Sequence, residues 1–450
     1  MPTSQNAQTI EDFGRRLRAG EATSADTTAA CLRRIVSGNE RLNAFILVLA
    51  DEAMAQARAA DRELAAGVDR GPLHGVPMAV KDLIDVRGVE TTAASRVRSE
   101  RPAEQDASVV ARLRQAGAVL VGKNNLHEFA YGTTSEDSAF GATRNPYDLS
   151  RSPGGSSGGS AACVAADMAF ASLGTDTGGS IRIPAAACGV VGLKPAYGEV
   201  SIEGVIPLSP TLDHVGPLAR TVTDAWLVYR ALMGDHNAQV NTPSRTTVES
   251  LRLAVPRAYF CDLLDEEVRE RFEESLNRLR SAGAHIGEAS IAHSDYIAPV
   301  YLAIQLTDAA AYHAATLERV PERYTEPVRL RLEMGRYILA EDYARALAGR
   351  EVLRREVNAA LTGYDALVLP SLPIPAPILG AAVVRLNNVD HPVRAVMLRL
   401  TQLFNLTGHP AISIPCGRTR AGLPCGLQLA GSTTESLLRV AQKCEPHLAP

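Results

Sequence analysis

Between Asn124 and Pro217 the chain is rich in glycine, serine, threonine and proline, and only one segment of it, about 159–169, carries the apolar pattern of a helix. A compact domain rarely leaves so long a run of irregular backbone unpacked. This stretch must therefore lie on a large scaffold and, like most long irregular segments, carry function. The flanking sequence supplies the scaffold. Apolar runs at VPMAV (76–80), AVLVG (118–122), LRLAVP (251–256), ALVLP (366–370), AISIP (411–415) and GLQLAG (426–431) are interspersed with helical patterns near 107–116, 265–283, 299–317, 327–361 and 434–444. This predicts an α/β fold in one large domain. Residues 1–70 read as an N-terminal helical cover, with Thr9 as a cap before Ile10, Phe13 and Leu17. Residues 71–450 read as the α/β domain, with a helical insertion at about 260–362.

Composition removes several classes of function. At 450 residues, 46% hydrophobic and 21% charged, the chain can bury a core and does not look disordered. A net charge of -4 gives no footprint for nucleic acid or an anionic membrane. The most apolar region, Ala161 to Leu173, is broken by Asp167 and too short to span a bilayer. The opening MPTSQNAQTIEDFG lacks the basic and apolar blocks of a secretory signal, so a cytoplasmic location is expected. Seven widely spaced cysteines form no metal-ligand cluster, and neither metal nor cofactor is expected. Only four of the 46 basic residues are lysine: Lys81, Lys123, Lys194 and Lys443. Where arginine is the usual cation, a retained lysine is a candidate for what arginine cannot do, which is to shed its proton.

The segment SPGGSSGGSAA (152–162) runs straight into an apolar helical pattern, which argues against a flexible linker. It lacks the GK[ST] ending of a phosphate loop and the strand-GxGxxG-helix setting of a dinucleotide site. Gly154, Ser156 and Gly158 fit a GxSxG elbow, which needs an acid and a histidine later in the chain; His214, His285 and His409 are available. A Ser-x-x-Lys site is excluded, because Met78, Leu120, Val191 and Val440 stand three residues before the four lysines.

Joined to GPLHGVPMAVKDLIDVRG (71–88) and GTDTGGSIRIPAAACGVVGLKP (174–195), this segment closely resembles the signature of the amidase signature family, with Ser156 and Ser180 separated by 24 residues. The likeness extends to NNLHEFAYGTTSEDSAFGATRNP (124–146) and to 405–431, so it covers most of the chain, and it implies an α/β fold with a central mixed β-sheet covered by helices on both faces. It implies Ser180 as nucleophile, Lys81 as base and Ser156 as the hydroxyl relay after a cis Gly155–Ser156 peptide. Thr177, Gly178 and Gly179 would form the oxyanion hole, and Tyr131, Gly132, Thr133 and Thr134, with Ser135, the acyl side of the substrate site. Asp176 and Arg182 read as an ion pair holding the turn, with Asn145, Gly155 and Ser157 as supports. Physical need agrees: amide hydrolysis requires a nucleophile, a base, a proton donor for the amine and donors for the oxyanion. Lys81 ends an apolar run, where desolvation favours its neutral form.

The resemblance implies hydrolysis of C–N bonds in amides, with anilides and carbamates (urethanes) in the range. The expected substrate is a small uncharged amide or carbamate bearing an apolar or aromatic group, and a homodimer is left open. The main rival is the glutaminase component of a tRNA-dependent amidotransferase. Glutamine-using members carry an acid shortly before the NLxGxP segment to hold the substrate ammonium, whereas this chain has Leu398 and Arg399 there and no acid between Asp390 and Glu435. A catalytically silent binding protein is the third reading, disfavoured by the presence of Lys81, Ser156 and Ser180 together.

Overall fold

Two apolar layers meet on opposite faces of one sheet, and alternation within the strands decides which side chain joins which layer. In the computed structural model, which describes residues 8–98, 101–235 and 248–448, Met78 and Val80 enter one buried cluster and Ala79, between them, enters another. Leu120 parts in the same way from Val119 and Val121. The first half of the opening segment read for a secretory signal lies outside the described residues.

The strands are β1 (Phe45–Val48), β2 (Pro77–Lys81), β3 (Val119–Asn124), β4 (Ala171–Asp176), β5 (Val191–Lys194), β6 (His214–Ala219), β7 (Arg252–Pro256), β8 (His285–Ala289), β9 (Ala366–Pro370), β10 (Val383–Leu386), β11 (Val389–Pro392), β12 (Ala411–Arg418) and β13 (Pro424–Ala430). Eleven of them form a sheet in the order β1-β3-β2-β4-β6-β5-β12-β13-β9-β7-β8, while β10 and β11 make a separate hairpin. The sheet is mixed. β2 is parallel to β3 and β4, and β7 to β8 and β9, whereas β4/β6, β5/β12 and β12/β13 are antiparallel.

The helices are α1 (Ile10–Arg18), α2 (Ser24–Leu42), α3 (Ala50–Ala65), α4 (Ser108–Gln115), α5 (Gly158–Ala165), α6 (Arg182–Cys188), α7 (Val222–Leu232), α8 (Glu266–Ser281), α9 (Ile297–Arg319), α10 (Glu326–Gly335), α11 (Ala340–Leu361), α12 (Val393–Leu398), α13 (Gln402–Leu406) and α14 (Thr434–Cys444). Apolar residues of α2, α3 and α5 join the cluster on one face, and those of α1, α4, α7, α8 and α14 the cluster on the other. Threonine hydroxyls cap α1, α2, α7 and α14 at Thr9, Thr23, Thr221 and Thr433, each accepting a backbone N–H of the first turn.

The fold is thus the expected α/β sheet with helices on both faces. Its internal boundaries differ in detail. Residues 45–48 of the N-terminal segment form the edge strand β1, antiparallel to β3. Of the segment 260–362, β8 belongs to the sheet and α8 to a layer against it, so α9, α10 and α11 make up the helical excursion. The helical pattern at 327–361 is two helices, interrupted at 336–339. The glycine-rich stretch also holds more regular structure than its composition suggests, namely β4, β5, β6 and α6. β2 and β4 lie side by side with Val80 opposite Leu173, so the chain leaves both strands at the same sheet edge. Ligand sites of open α/β sheets favour such carboxyl ends of parallel strands.

Candidate active site

Lys81, the last residue of β2, is fully buried, and its Nζ donates to Ser156 Oγ and to Thr175 Oγ1, both at 2.7 Å. Neighbouring strands explain the second contact, since Thr175 lies two residues beyond Leu173 on β4. Burial pushes the lysine down to about 7, while the Asp176 and Asp213 carboxylates pull it the other way. No acid accepts a hydrogen bond from this ammonium among the described residues, so desolvation prevails and a neutral amine is accessible near neutral pH.

Ser156 is also fully buried, follows a cis Gly155–Ser156 peptide and precedes α5. Ser135 braces this loop: its Oγ reaches the Gly154 and Ser156 carbonyls at 2.9 and 3.2 Å and accepts from the Gly158 N–H at 3.2 Å. Thr133 and Ser135 pass directly over Gly155, where a Cβ would stand within 3.0 Å of both backbones. The segment 131–135 is thereby placed at the site. Ser157 Oγ ties the loop to the Thr175 backbone, and Asn145 Nδ2 donates to the carbonyls of Ser152 and Ala187.

Ser180 lies in the turn between β4 and α6, with 5% of its surface exposed. Its carbonyl accepts the Ser157 N–H at 3.2 Å, which binds the two glycine-rich segments together. Asp176 shapes the turn. Its Oδ1 accepts the Gly179 N–H at 2.7 Å, its Oδ2 the Ile181 N–H at 3.1 Å, and Arg182 donates to both oxygens at 3.0 and 3.1 Å. Burial alone would raise this carboxyl, but the Arg182 charge and hydrogen bonds outweigh it and hold the group well below the usual range. Arg182 is also buried, and spends its remaining donors on Thr401 O, Gln428 Oε1 and Asn405 Oδ1.

On the other side of the turn, Thr177 Oγ1 donates to Asp213 Oδ1 at 2.5 Å, and Thr401 Oγ1 donates to the Gly178 carbonyl at 2.5 Å. Gly178 and Gly179 are fixed by space: a Cβ on Gly178 would meet Tyr301 Oη at 2.3 Å, and one on Gly179, where φ is 140°, would meet Thr401 Oγ1 at 2.2 Å. The Gly179 N–H is held by Asp176. Among the described residues no hydrogen bond engages the Gly178 or Ser180 N–H, which makes these two amides better placed than Gly179 to receive a ligand oxygen.

The structure therefore brings Lys81, Ser156, Ser180 and the 177–179 turn together. The Lys81–Ser156 hydrogen bond is formed. A Ser156–Ser180 hydrogen bond is not among those of the described residues, and such links commonly tighten only when substrate binds. The three histidines weighed for a hydrolase elbow lie elsewhere in the network. His214 contacts Lys194 and the carbonyls of Asp176 and Leu212, His409 contacts Thr407 and Asn358, and His285 is on the surface. Tyr131 is buried with its ring near two guanidiniums, Arg331 at 5.4 Å and Arg394 at 5.9 Å. Gly132 lies against the His127 ring, Thr133 is buried, and the Thr134 carbonyl accepts from Ser152 Oγ at 2.7 Å. Sequence reasoning expected the rest of the pocket from the insertion and from residues 375–400, the segments that hold Tyr301, Gln305 and Arg394, without naming these side chains, and it missed Thr175, Asp213 and Thr401. Thr175 alone had a signal, its place inside the GTDTGGS motif. All seven cysteines are free and buried, and among the described residues no group of three His, Cys, Asp or Glu side chains is disposed to hold a metal ion.

Comparison with known proteins gives a consistent picture. The sequence profile of the family described as Amidase matches residues 26–436. The A component of a glutamyl-tRNA(Gln) amidotransferase from Roseiflexus sp. (strain RS-1) is 41% identical over 96% of this chain and 94% of its own length, and other relatives of similar identity bear the same name. A protein named Amidase from Pseudomonas putida is likewise 41% identical, over 92% of this chain and 90% of its own. A crystal structure described as an amidase superposes with a TM-score of 0.92 at 39% identity, covering 98% of this chain and all of that one.

Proposed function

The chain belongs to the Amidase family and is an enzyme acting on C–N bonds; on that premise we propose that it hydrolyses carboxamides through an acyl-enzyme on Ser180. The observation that carries this reading is Lys81: buried, lowered to about 7, and donating at 2.7 Å to the hydroxyl of Ser156. Neutral Lys81 takes the Ser156 proton as Ser156 takes that of Ser180, and the freed oxygen attacks the amide carbonyl. The developing oxyanion is met by backbone N–H groups of the 177–180 turn, whose shape Asp176 and Thr401 fix before substrate arrives. The Lys81 ammonium then returns its proton through Ser156 to the departing amine, and water releases the acid by the same route in reverse. Tyr131, Gly132, Thr133 and Thr134 line the acyl side.

The test is intact-mass and peptide analysis after reaction with a slowly deacylating substrate. The adduct is expected on the peptide containing Ser180; an adduct on Ser156 would replace this scheme with a hydrolase elbow.

A second reading is specifically favoured by the names of the sequence relatives: a glutaminase component that makes ammonia for an amidotransferase. It uses the same three residues. The missing acid between Asp390 and Glu435 and the likeness to a solved amidase favour a chain that acts alone. Turnover of glutamine by the purified chain, with and without candidate partner proteins, separates the two: a requirement for partners selects the second.

A further inference from the structure

A buried ammonium needs a counter-charge, and the hydrogen bonds around Lys81 do not supply one. Its Nζ meets only the hydroxyls of Ser156 and Thr175. Two carboxylates lie close enough to act on it, Asp176 and Asp213. Asp176 is already matched, since Arg182 donates to both of its oxygens. Asp213 has only neutral donors. Its Oδ1 accepts from the Thr177 hydroxyl at 2.5 Å, and its Oδ2 from the Leu208 and Ser209 N–H groups at 2.9 and 3.1 Å. The buried ion pairs of this region join other groups, Asp176 with Arg182 and Asp82 with Lys123.

The sheet fixes where this acid stands. Asp176 pairs with His214 across β4 and β6, so Asp213 continues that register and meets Thr177. Alternate residues of one segment, Thr175 and Thr177, thus contact the lysine and the acid. The loop before β6 is fastened on its other side, where Ser209 and Thr211 donate to one oxygen of Asp308 on α9 at 2.6 and 2.8 Å and Tyr343 of α11 donates to the other at 2.9 Å. Burial pushes Asp213 up to about 7, and the Thr177, Leu208 and Ser209 donors, with the Lys81 charge, pull it down. The other ionisable groups packed here are engaged or neutral. Lys194 of β5 contacts His214 and the Pro195 carbonyl, and burial pushes both Lys194 and His214 well down. Lys123 of β3 is paired with Asp82, and burial pushes the Tyr301 phenol of α9 up, away from ionisation.

We propose that Asp213 is a positioning residue for the base: its carboxylate is the counter-charge that steadies the Lys81 ammonium while the proton drawn from Ser180 rests there. This rests on the reading of Lys81 as the base. In that scheme the proton passes from Ser180 Oγ through Ser156 Oγ to Lys81 Nζ, so a positive charge appears where the hydrogen-bond partners are neutral. Attraction to an anion beyond Thr177 lowers the energy of that charged stage and makes Lys81 a stronger base. Direct contact would make the lysine a permanent cation, and Asp213 makes none, because its oxygens are taken by Thr177 and the 208–209 backbone. Thr177 sets the charge in turn, since its hydroxyl stabilises the ionised carboxyl.

The chain has only four lysines, so selective carbon-13 labelling of their Cε atoms gives a simple NMR spectrum, in which the Lys81 signal is the one lost in Lys81→Ala. The Lys81 titration midpoint, and the pH limb of kcat/KM for a simple carboxamide such as hexanamide, are measured in the wild-type protein, Asp213→Asn, Thr177→Val and Thr177→Ser. Asparagine removes the charge and keeps the contacts: its amide oxygen accepts the two N–H groups and its nitrogen donates to the Thr177 hydroxyl. Losing the anion disfavours the ammonium, so the midpoint should fall by about one unit from its value near 7. The kinetic limb should move to lower pH by the same amount, and plateau kcat should drop roughly three- to tenfold because the base is weaker. Thr177→Val removes a donor that keeps Asp213 ionised, so it should move the midpoint the same way by less, and Thr177→Ser should restore it. An unmoved midpoint in Asp213→Asn, or in Thr177→Val should the asparagine variant not fold, would overturn the proposal. Lost kcat with no such shift would do the same, leaving Asp213 a structural strut. A midpoint that shifts as expected alongside full turnover in Lys81→Ala would sink the base reading and leave the charge pairing standing.

Discussion

At the scale of single residues, the decisive fact is that a lysine is buried beside two hydroxyls instead of a carboxylate. Lys81→Arg should be nearly as damaging as Lys81→Ala, because a guanidinium fits the charge but cannot give it up; each should lower kcat by roughly 10²–10⁴-fold. Near wild-type turnover in the Arg variant would reduce Lys81 to a structural cation. The pH dependence has a definite sign. The active form of the base is neutral, so kcat/KM should rise with pH through about 7, the value to which burial lowers Lys81. A rate that falls steadily from pH 6 upward would contradict that assignment. Asp176 lies near and raises the lysine pKa, so Asp176→Asn should move this limb to lower pH. The candidate roles of Lys81, Ser156 and Ser180 were legible in the sequence because they sit in contiguous motifs. Asp213 was not, since its link to Thr177 spans 36 residues and an aspartate in a loop carries no mark of burial.

At the scale of elements, the turn from β4 into α6 is held by a buried ion pair, and its stability and its geometry depend on the same contacts. Removing one charge strands the other in a dry interior, so Asp176→Asn should cost about 3–5 kcal/mol in denaturant unfolding and also lower kcat, since an amide offers only one of the two oxygens that hold the Gly179 and Ile181 N–H groups. Retained stability with lost turnover would show that Asp176 acts on the chemistry alone. Gly179→Ala should cost about 1–3 kcal/mol, from a φ of 140° that other residues avoid, and should lower kcat more than it raises KM. The turn's neighbours β4, β5 and β6 were hidden in the sequence for one reason. ASLGTD, VGLK and HVGPLA are short and buried on both faces, so they show no alternation, and their glycines and prolines read as loop. The long excursion after Tyr296 was legible as helix, but its break at 336–339 was not, because the apolar pattern runs on without a proline there.

At the scale of the whole molecule, one eleven-stranded sheet presents the candidate reacting groups at the ends of its parallel strands β2 and β4, while α9, α10 and α12 bring further side chains to the same region. The proposed set of Ser180, Lys81 and Ser156 would supply nucleophile, base and relay, so prolonged chelation should leave turnover unchanged; a loss restored by a divalent ion would reject this account. No described helix is long and apolar enough to cross a membrane. What the sequence by itself determined was the α/β class and the family: period and punctuation give away strands and helices, and the likeness to enzymes acting on C–N bonds is carried by short motifs whose members are near neighbours in the chain. What only the tertiary structure decided was the environment of those groups. That no acid accepts a hydrogen bond from Lys81 among the described residues, that Thr175 is its second partner, and that Tyr131, Gln305 and Arg394 converge from three distant segments all depend on strand order and helix packing. Burial and charge balance are sums over neighbours that the linear order of residues does not specify.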